Sequence, residues 1–299
     1  MKYGNIFEIQ RFCTHDGRGI RTTVFFKGCG MRCAWCSNPE SQSSGSELFY
    51  RSNGCITCGL CAKCCPENAI QVLQDCAHIN RSACTHCMQC ISVCPAALYQ
   101  SKLSSLSSDE VLEIVLRDRE FYQASGGGLT LSGGECLLQA DFALELLHKA
   151  KRHGLHTAIE TSLNAPFELL DQMLPLLDEI FFDLKHVDSE KHRQWTGASN
   201  HIILNNILRL AALRPDALPR IPIIPGFNDT AREIRDIATF LQHAGFQRAE
   251  LLAYHTLGAS KYIALGRANP YENIVPFSEP VYEQAQNIFS ELGLEVISN

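Results

Sequence analysis

The sequence predicts an α/β fold in which six strand–helix units form an open, partial barrel, interrupted near its start by a cysteine-rich insert. Two observations carry that expectation. From Ser107 onward, strand-like and helix-like runs alternate, a pattern that argues for parallel strands joined by helical crossovers. Between about Leu48 and Leu103 the alternation stops, and cysteines crowd a stretch without long helical periodicity. The 299 residues, 45% of them hydrophobic, suffice to bury one large core beside a smaller module.

The first strand is the β-branched and aromatic run Ile20 to Lys27 (IRTTVFFK), which leads directly into a cysteine loop. SQSSGS follows, a linker by composition. The expected division is therefore 1–46 for the first part of the barrel, 47–103 for the insert and 104–299 for the remainder. After the insert, SSDEVLEIVLRDREFYQ reads as a helix with Ser108 as N-cap, and a strand is expected around Leu129 to Ser132. Helix ADFALELLHKAKRHG precedes strand HTAIET, a helix around Pro166 to Leu177 precedes strand EIFFDLK, and further strands are expected near Ile221 to Ile224 and Glu250 to Ala253. Six units fall short of the eight in a closed TIM barrel, so a partial (β/α)6 TIM-like barrel is the economical reading. A doubly wound sheet is the competing layout, and periodicity does not separate the two. In either, ligands gather beyond the carboxyl ends of the strands.

A net charge of −6 offers no basic excess to attract phosphates, which argues against nucleic acid as a partner. The start, MKYGNIFEIQRF, has no apolar signal region, and no apolar run is long enough to cross a bilayer. The expectation is a cytoplasmic protein with no membrane partner. Fifteen cysteines in a large unsecreted chain point to metal rather than to disulfides, and cluster-bound thiolates imply low oxygen.

Cys29, Cys33 and Cys36 have the spacing C-x3-C-x2-C. Three thiolates cannot fill the four corners of a 4Fe-4S cube, so one iron is left open to bind and reduce a substrate. A zinc site completed by His15 is the alternative, although zinc ligands usually come as two separated pairs. Cys55, Cys58, Cys61 and Cys65 before Pro66, then Cys84, Cys87, Cys90 and Cys94 before Pro95, give C-x2-C-x2-C-x3-C-P twice. That is the run of bacterial ferredoxins, in which each fourth cysteine serves the other run's cluster. The implied sets are Cys55, Cys58, Cys61 and Cys94, and Cys84, Cys87, Cys90 and Cys65. Zinc ribbons also use C-x2-C pairs but rarely add the third cysteine and the proline. Cys64 adjoins Cys65, and the proline spacing favours Cys65 as the ligand. Cys13, Cys64, Cys76 and Cys136 are read as ordinary thiols.

With these motifs the chain resembles the radical S-adenosylmethionine (SAM) superfamily and, within it, the activating enzymes of glycyl radical enzymes such as pyruvate formate-lyase activase. The resemblance covers nearly the whole length. It begins with IFEIQRFCTHDGRGIRTTVFFKGCGMRCAWCSNPE, where Trp35 is the aromatic residue before the last cysteine and Arg18 replaces a proline of many members. It implies that SGGE, Ser132 to Glu135, meets the cofactor's amino group through Gly133, Gly134 and Glu135. Glu160, before Thr161 and Ser162, falls near the ribose or a monovalent cation, where many members carry aspartate. Asp183-Leu184-Lys185 matches a motif whose lysine meets the cofactor carboxylate, and Arg220 and His255 match further contact positions.

The resemblance implies three 4Fe-4S clusters, S-adenosylmethionine and an adenosyl radical that removes hydrogen from a glycine of a partner glycyl radical enzyme. No side-chain acid or base is then needed. A flavodoxin or ferredoxin is the expected electron donor, with the insert relaying electrons, docking the partner or stabilising the fold. Two other functions stand beside this one: radical chemistry on a small molecule or peptide, and a non-catalytic multi-cluster electron carrier.

Overall fold

A computed structural model of the chain describes residues 2–275 and 278–297. Strand β1 (Tyr3–Cys13) runs antiparallel to β2 (Arg21–Phe26), the predicted first strand. The segment that follows contains β3 (Leu48–Tyr50), α1 (Leu60–Cys64), β4 (Ile70–Val72), β5 (Ala77–Ile79), α2 (Gln89–Val93) and β6 (Tyr99–Ser101). Regular alternation then begins. It runs through β7 (Ser104–Ser107), α3 (Ser108–Leu116), α4 (Arg119–Ser125), β8 (Gly128–Gly133), α5 (Ala140–Arg152), β9 (His156–Thr161), α6 (Phe167–Asp171) and β10 (Glu179–Asp183). The chain continues with α7 (Ser189–Thr196), α8 (His201–Leu213), β11 (Leu218–Ile223), α9 (Ala231–Ala244), β12 (Arg248–Ala253), α10 (Ala259–Leu265), α11 (Glu279–Glu291) and β13 (Glu295–Ile297).

The main sheet has the order β13-β12-β11-β10-β9-β8-β2-β1-β7, with every neighbouring pair from β2 to β13 parallel. Along that parallel part the strand order follows the chain and never reverses. A doubly wound sheet requires such a reversal, so the barrel-like reading holds and the alternative falls. One face is apolar and packs against the helices through residues such as Leu129, Leu131, Ile159, Phe182 and Ile221. The opposite face carries Thr130, Ser132, Glu160, Arg220 and Glu250, because side chains alternate along a strand.

Four expectations change. β1 is an antiparallel strand that the sequence did not reveal, since its irregular pairing with β2 breaks the alternation of buried and exposed positions. β13 adds a seventh parallel strand. The N-cap of α3 is Ser107, not Ser108: Ser107 accepts from the Glu110 amide while the Glu110 carboxylate accepts from the Ser107 amide, a capping box. The helix predicted to run on from there stops and restarts at Asp118, whose buried carboxylate takes Arg11 Nε at 2.6 Å.

The segment from Leu48 to Ser101 builds a small core of its own, including Leu48, Tyr50, Ile70 and Tyr99. Its halves repeat after 29 residues. Left-handed backbone at Thr57, Gly59 and Asn68 recurs at His86, Met88 and Ala97, and the ladder Tyr50↔Tyr99 recurs as Ile79↔Ile70. Arg81 fastens this segment to the barrel by donating to Leu48 O at 2.6 Å and Ala264 O at 2.8 Å. Among the described residues, no helix is long and apolar enough to cross a membrane.

Candidate active site

The carboxyl ends of the parallel strands open into a cavity of about 650 Å³. Cys29, Cys33 and Cys36 face it from the loop after β2, and the backbone of α7 holds that loop: the Arg32 and Ala34 amides donate to Thr196 O at 2.6 Å and Trp195 O at 3.1 Å. Such carbonyl contacts have no sequence signature. Trp35 also lines the cavity, with its ring 4.5 Å from Phe227 and 6.4 Å from Tyr271. Burial pushes all three thiols upward, Cys33 to about 12, so a metal has to displace their protons.

Gly133 and Gly134 line the same cavity, and the structure gives a direct reason for both. A Cβ on Gly133, at φ +117°, would stand 2.2 Å from Phe26 N, and one on Gly134 would stand 2.2 Å from Gly28 O. The end of β8 is thus pressed backbone to backbone against the cysteine loop, with Gly134 N donating to Phe26 O and Glu135 N to Gly28 O, each at 2.8 Å. Glu135 departs from its expected place. Its carboxylate is absent from the cavity wall and is fully buried, accepting from Thr161 Oγ1 (2.8 Å), the Leu137 amide (3.1 Å), the Ser162 amide (2.9 Å) and Ser162 Oγ (2.5 Å). With both oxygens engaged, it braces the loop after β9.

Glu160 and Arg220 line the cavity but meet each other first. The Arg220 guanidinium pairs with Glu160, donates through Nε to Glu250 at 2.6 Å and through Nη2 to His15 O at 2.8 Å, and lies 4.1 Å above the Phe181 ring. Register explains the bridge. Arg220 stands beside Glu250 on the next strand and Asp183 on the other side, with Phe181 paired to Glu160 beyond it. Desolvation opposes the charge on Arg220, and the two carboxylates outweigh it. Both residues are thereby held in place by this network at the cavity wall.

Lys185 Nζ sits 2.6 Å from Asp183 Oδ2 at the cavity wall. Desolvation draws its pKa down, but Asp183 and the thiols of Cys33 and Cys29 raise it well above the ordinary lysine value, so the ammonium persists. His255 is exposed and lines the mouth, with its Nδ1 accepting from the Leu257 amide at 3.4 Å. His15 and Asp16 also line the cavity. No motif in the sequence marks Asp16, and His15 enters only as the fourth ligand of the zinc alternative.

In the insert, one small cavity is lined by Cys55, Cys58, Cys61 and Cys94, and a second by Cys65, Cys84, Cys87 and Cys90. Donor spacing tests single-ion sites. Around tetrahedral zinc, sulfurs at about 2.3 Å lie roughly 3.8 Å apart. Among the described residues, the set of Cys, His, Asp and Glu ligand atoms that all fall within 4.8 Å of one another is Asp75, Cys76 and His78, on the exposed turn between β4 and β5. The three barrel thiols, with or without His15, do not converge so closely. The donor set of three thiols beside a lasting ammonium fits an iron–sulfur centre that binds an anionic ligand.

Residues 70–241 match the sequence model of the radical SAM superfamily. The chain belongs to that superfamily. Radical SAM membership brings S-adenosylmethionine and a 4Fe-4S cluster as cofactors. The chain is 45% identical over 276 residues to the (2S)-3-sulfopropanediol sulfolyase activating enzyme of Bilophila wadsworthia, in an alignment that covers 91% of each chain. It is 42% identical over 279 residues to the isethionate sulfite-lyase activating enzyme of Oleidesulfovibrio alaskensis, covering 91% of this chain and 90% of that one. The solved structure of Streptococcus suis SuiB superposes with a TM-score of 0.50 at 11% identity, over 66% of this chain and 44% of that chain, a likeness of fold alone.

Proposed function

We propose that this chain activates a glycyl radical enzyme. When bound, S-adenosylmethionine and a reduced cluster would supply the one-electron chemistry that takes hydrogen from a glycine of the partner, the electron coming from an external donor. The observation that carries the proposal is the convergence of three, not four, cysteines with Gly133, Gly134 and Lys185 at one strand-end cavity. Cys29, Cys33 and Cys36 would hold the cluster and leave one iron for S-adenosylmethionine. Lys185 offers a persistent ammonium to the cofactor carboxylate, with Asp183 orienting it. Gly133 and Gly134, pressed against the cysteine loop, would offer backbone at the cavity wall to the amino group. Trp35 walls the site and His255 closes its mouth. The Arg220 pair with Glu160 and Glu250 shapes the floor and takes part through that network, with any monovalent cation falling near Glu160. The protein's share of the reaction is to hold the reacting atoms together and exclude water.

Cys55, Cys58, Cys61 and Cys94 would hold a second 4Fe-4S cluster, and Cys65, Cys84, Cys87 and Cys90 a third, within a ferredoxin-like module spanning 47–103. Support comes from the two cavities, each of which gathers three thiols of one run and the fourth thiol of the other. A flavodoxin or ferredoxin would deliver electrons to this module, in the cytoplasm. Anaerobic reconstitution should give about twelve irons per chain, release of deoxyadenosine after reduction, and a glycyl doublet in the electron paramagnetic resonance spectrum of the cognate lyase. Reduced, fully loaded protein that releases no deoxyadenosine refutes the reading.

A further inference from the structure

The two insert cavities are related by the 29-residue repeat but are not walled alike. The first is lined by Tyr50 and Tyr99 from the β3–β6 ladder. The matching ladder contributes Ile70 to the second cavity, with Ile79 as its pair. The two tyrosine rings are stacked, 4.6 Å apart and 20° from parallel. Tyr50 OH already accepts from the Ala77 amide at 3.2 Å. Tyr99 is only 3% exposed, and among the described residues its buried hydroxyl meets no nitrogen or oxygen partner and faces only the Cys61 thiol.

A buried hydroxyl without a strong acceptor is costly, and a protonated thiol is a weak acceptor, so the survival of Tyr99 in a packed core calls for a better acceptor at the Cys61 sulfur. The cavity into which Tyr99 is built holds four thiols, and after burial itself the Cys61 sulfur weighs most on the phenol. We propose that Tyr99 donates a hydrogen bond to a sulfur of the cluster held by Cys55, Cys58, Cys61 and Cys94, raising the reduction potential of that cluster and not of its twin. The inference rests on the two-cluster reading of the insert. A donor at sulfur stabilises the more negative, reduced state, and isoleucine at the matching position has no proton to give. Arg81, near Cys84 and Cys90, acts on the second cluster by its charge, so the claim concerns what Tyr99 adds, not the order of the two potentials.

The test uses the full chain carrying Cys29→Ala, Cys33→Ala and Cys36→Ala, which leaves only the insert able to hold clusters, with and without Tyr99→Phe. After anaerobic reconstitution, a potentiometric titration followed by electron paramagnetic resonance should show one midpoint moved to more negative values by Tyr99→Phe and the other unmoved. Proton double resonance on the chain that keeps Tyr99 should show an exchangeable coupling that disappears in D2O and is absent from Tyr99→Phe. About eight irons per chain with neither midpoint moved, or with the same exchangeable couplings in both proteins, overturns the role of Tyr99 while leaving the clusters in place. No iron retained in either protein overturns the two-cluster reading instead.

Discussion

The thiols of Cys29, Cys33 and Cys36 stand on one loop at the edge of a wide cavity that also holds Asp183, Lys185, Glu160 and Arg220, whereas the eight thiols of the insert close over two small cavities walled mostly by apolar side chains. The same donor atom therefore serves two designs. In the barrel, three thiols share their surroundings with charged groups that can meet a ligand. In the insert, every set of four is complete, and the chain repeats itself to make the second copy. The contrast separates a wide site with charged groups at hand for a ligand from two closed sets of four thiols.

Removing one thiol from each region tells the two designs apart most clearly. Cys33→Ala should abolish deoxyadenosine release altogether, whichever reductant is used. Cys61→Ala should lower the iron content by about four per chain, leave cleavage intact with a strong chemical reductant, and slow it with a protein donor. Equal losses in both assays for both variants would mean that the insert is part of the reacting centre.

Glycine offers a second contrast. A Cβ on Gly134 meets the Gly28 carbonyl oxygen at 2.2 Å, whereas one on Gly59, at φ +73°, meets nothing within 4 Å. Met88, at φ +63°, fills the position that matches Gly59 in the other half, so a side chain is tolerated there. Gly134→Ala should therefore lower the unfolding free energy by about 3 kcal/mol or more through backbone strain. Gly59→Ala should cost only about 1 kcal/mol, the penalty of left-handed backbone. Urea midpoints of the two variants check the ranking.

Lys185 has no counterpart in the insert cavities. Lys185→Met keeps the length of the side chain and removes the charge. The expected loss is about 2 kcal/mol of S-adenosylmethionine affinity, roughly thirty-fold in Kd, as befits one hydrogen bond to a charged group. Equilibrium binding to reconstituted protein reads it, and an unchanged Kd would remove Lys185 from the site.

What the sequence disclosed and what it hid divide along a physical line. Cysteine spacing is local, so the crossed sets named from the two runs are the sets that line the two cavities. Strand–helix alternation is local too, and it located every parallel strand from β2 to β12. Sheet register is not local. Arg220 pairs with Glu250 and Glu160, which lie 30 and 60 residues away in the chain, and Glu135 turns from the cavity because Thr161 and Ser162 arrive from the next strand to cage it. The antiparallel β1 stayed hidden for the same reason, since bulges at Ile6/Glu8 and Gln10/Cys13 break its period.

Acid should act on the barrel through histidines held neutral by burial. Burial draws His192, His186 and His156 below the usual histidine value, and His192 places Nδ1 2.7 Å from Ala198 O, where a neutral imidazole donates well. Because the folded-state values lie below the unfolded ones, this contribution is complete above about pH 6.5 and is lost as pH falls below it, at no more than about 1.4 kcal/mol per pH unit for each histidine. Glu135 works the other way: burial raises its carboxyl against the four hydrogen bonds it accepts, so protonation relieves the fold there. The two effects are separable by variant. Urea midpoints at pH 7.5 and 5.5 should differ less for His192→Gln than for the unaltered chain, since only the histidine has been removed from the balance. An equal or steeper acid loss in His192→Gln would place the titrating group elsewhere.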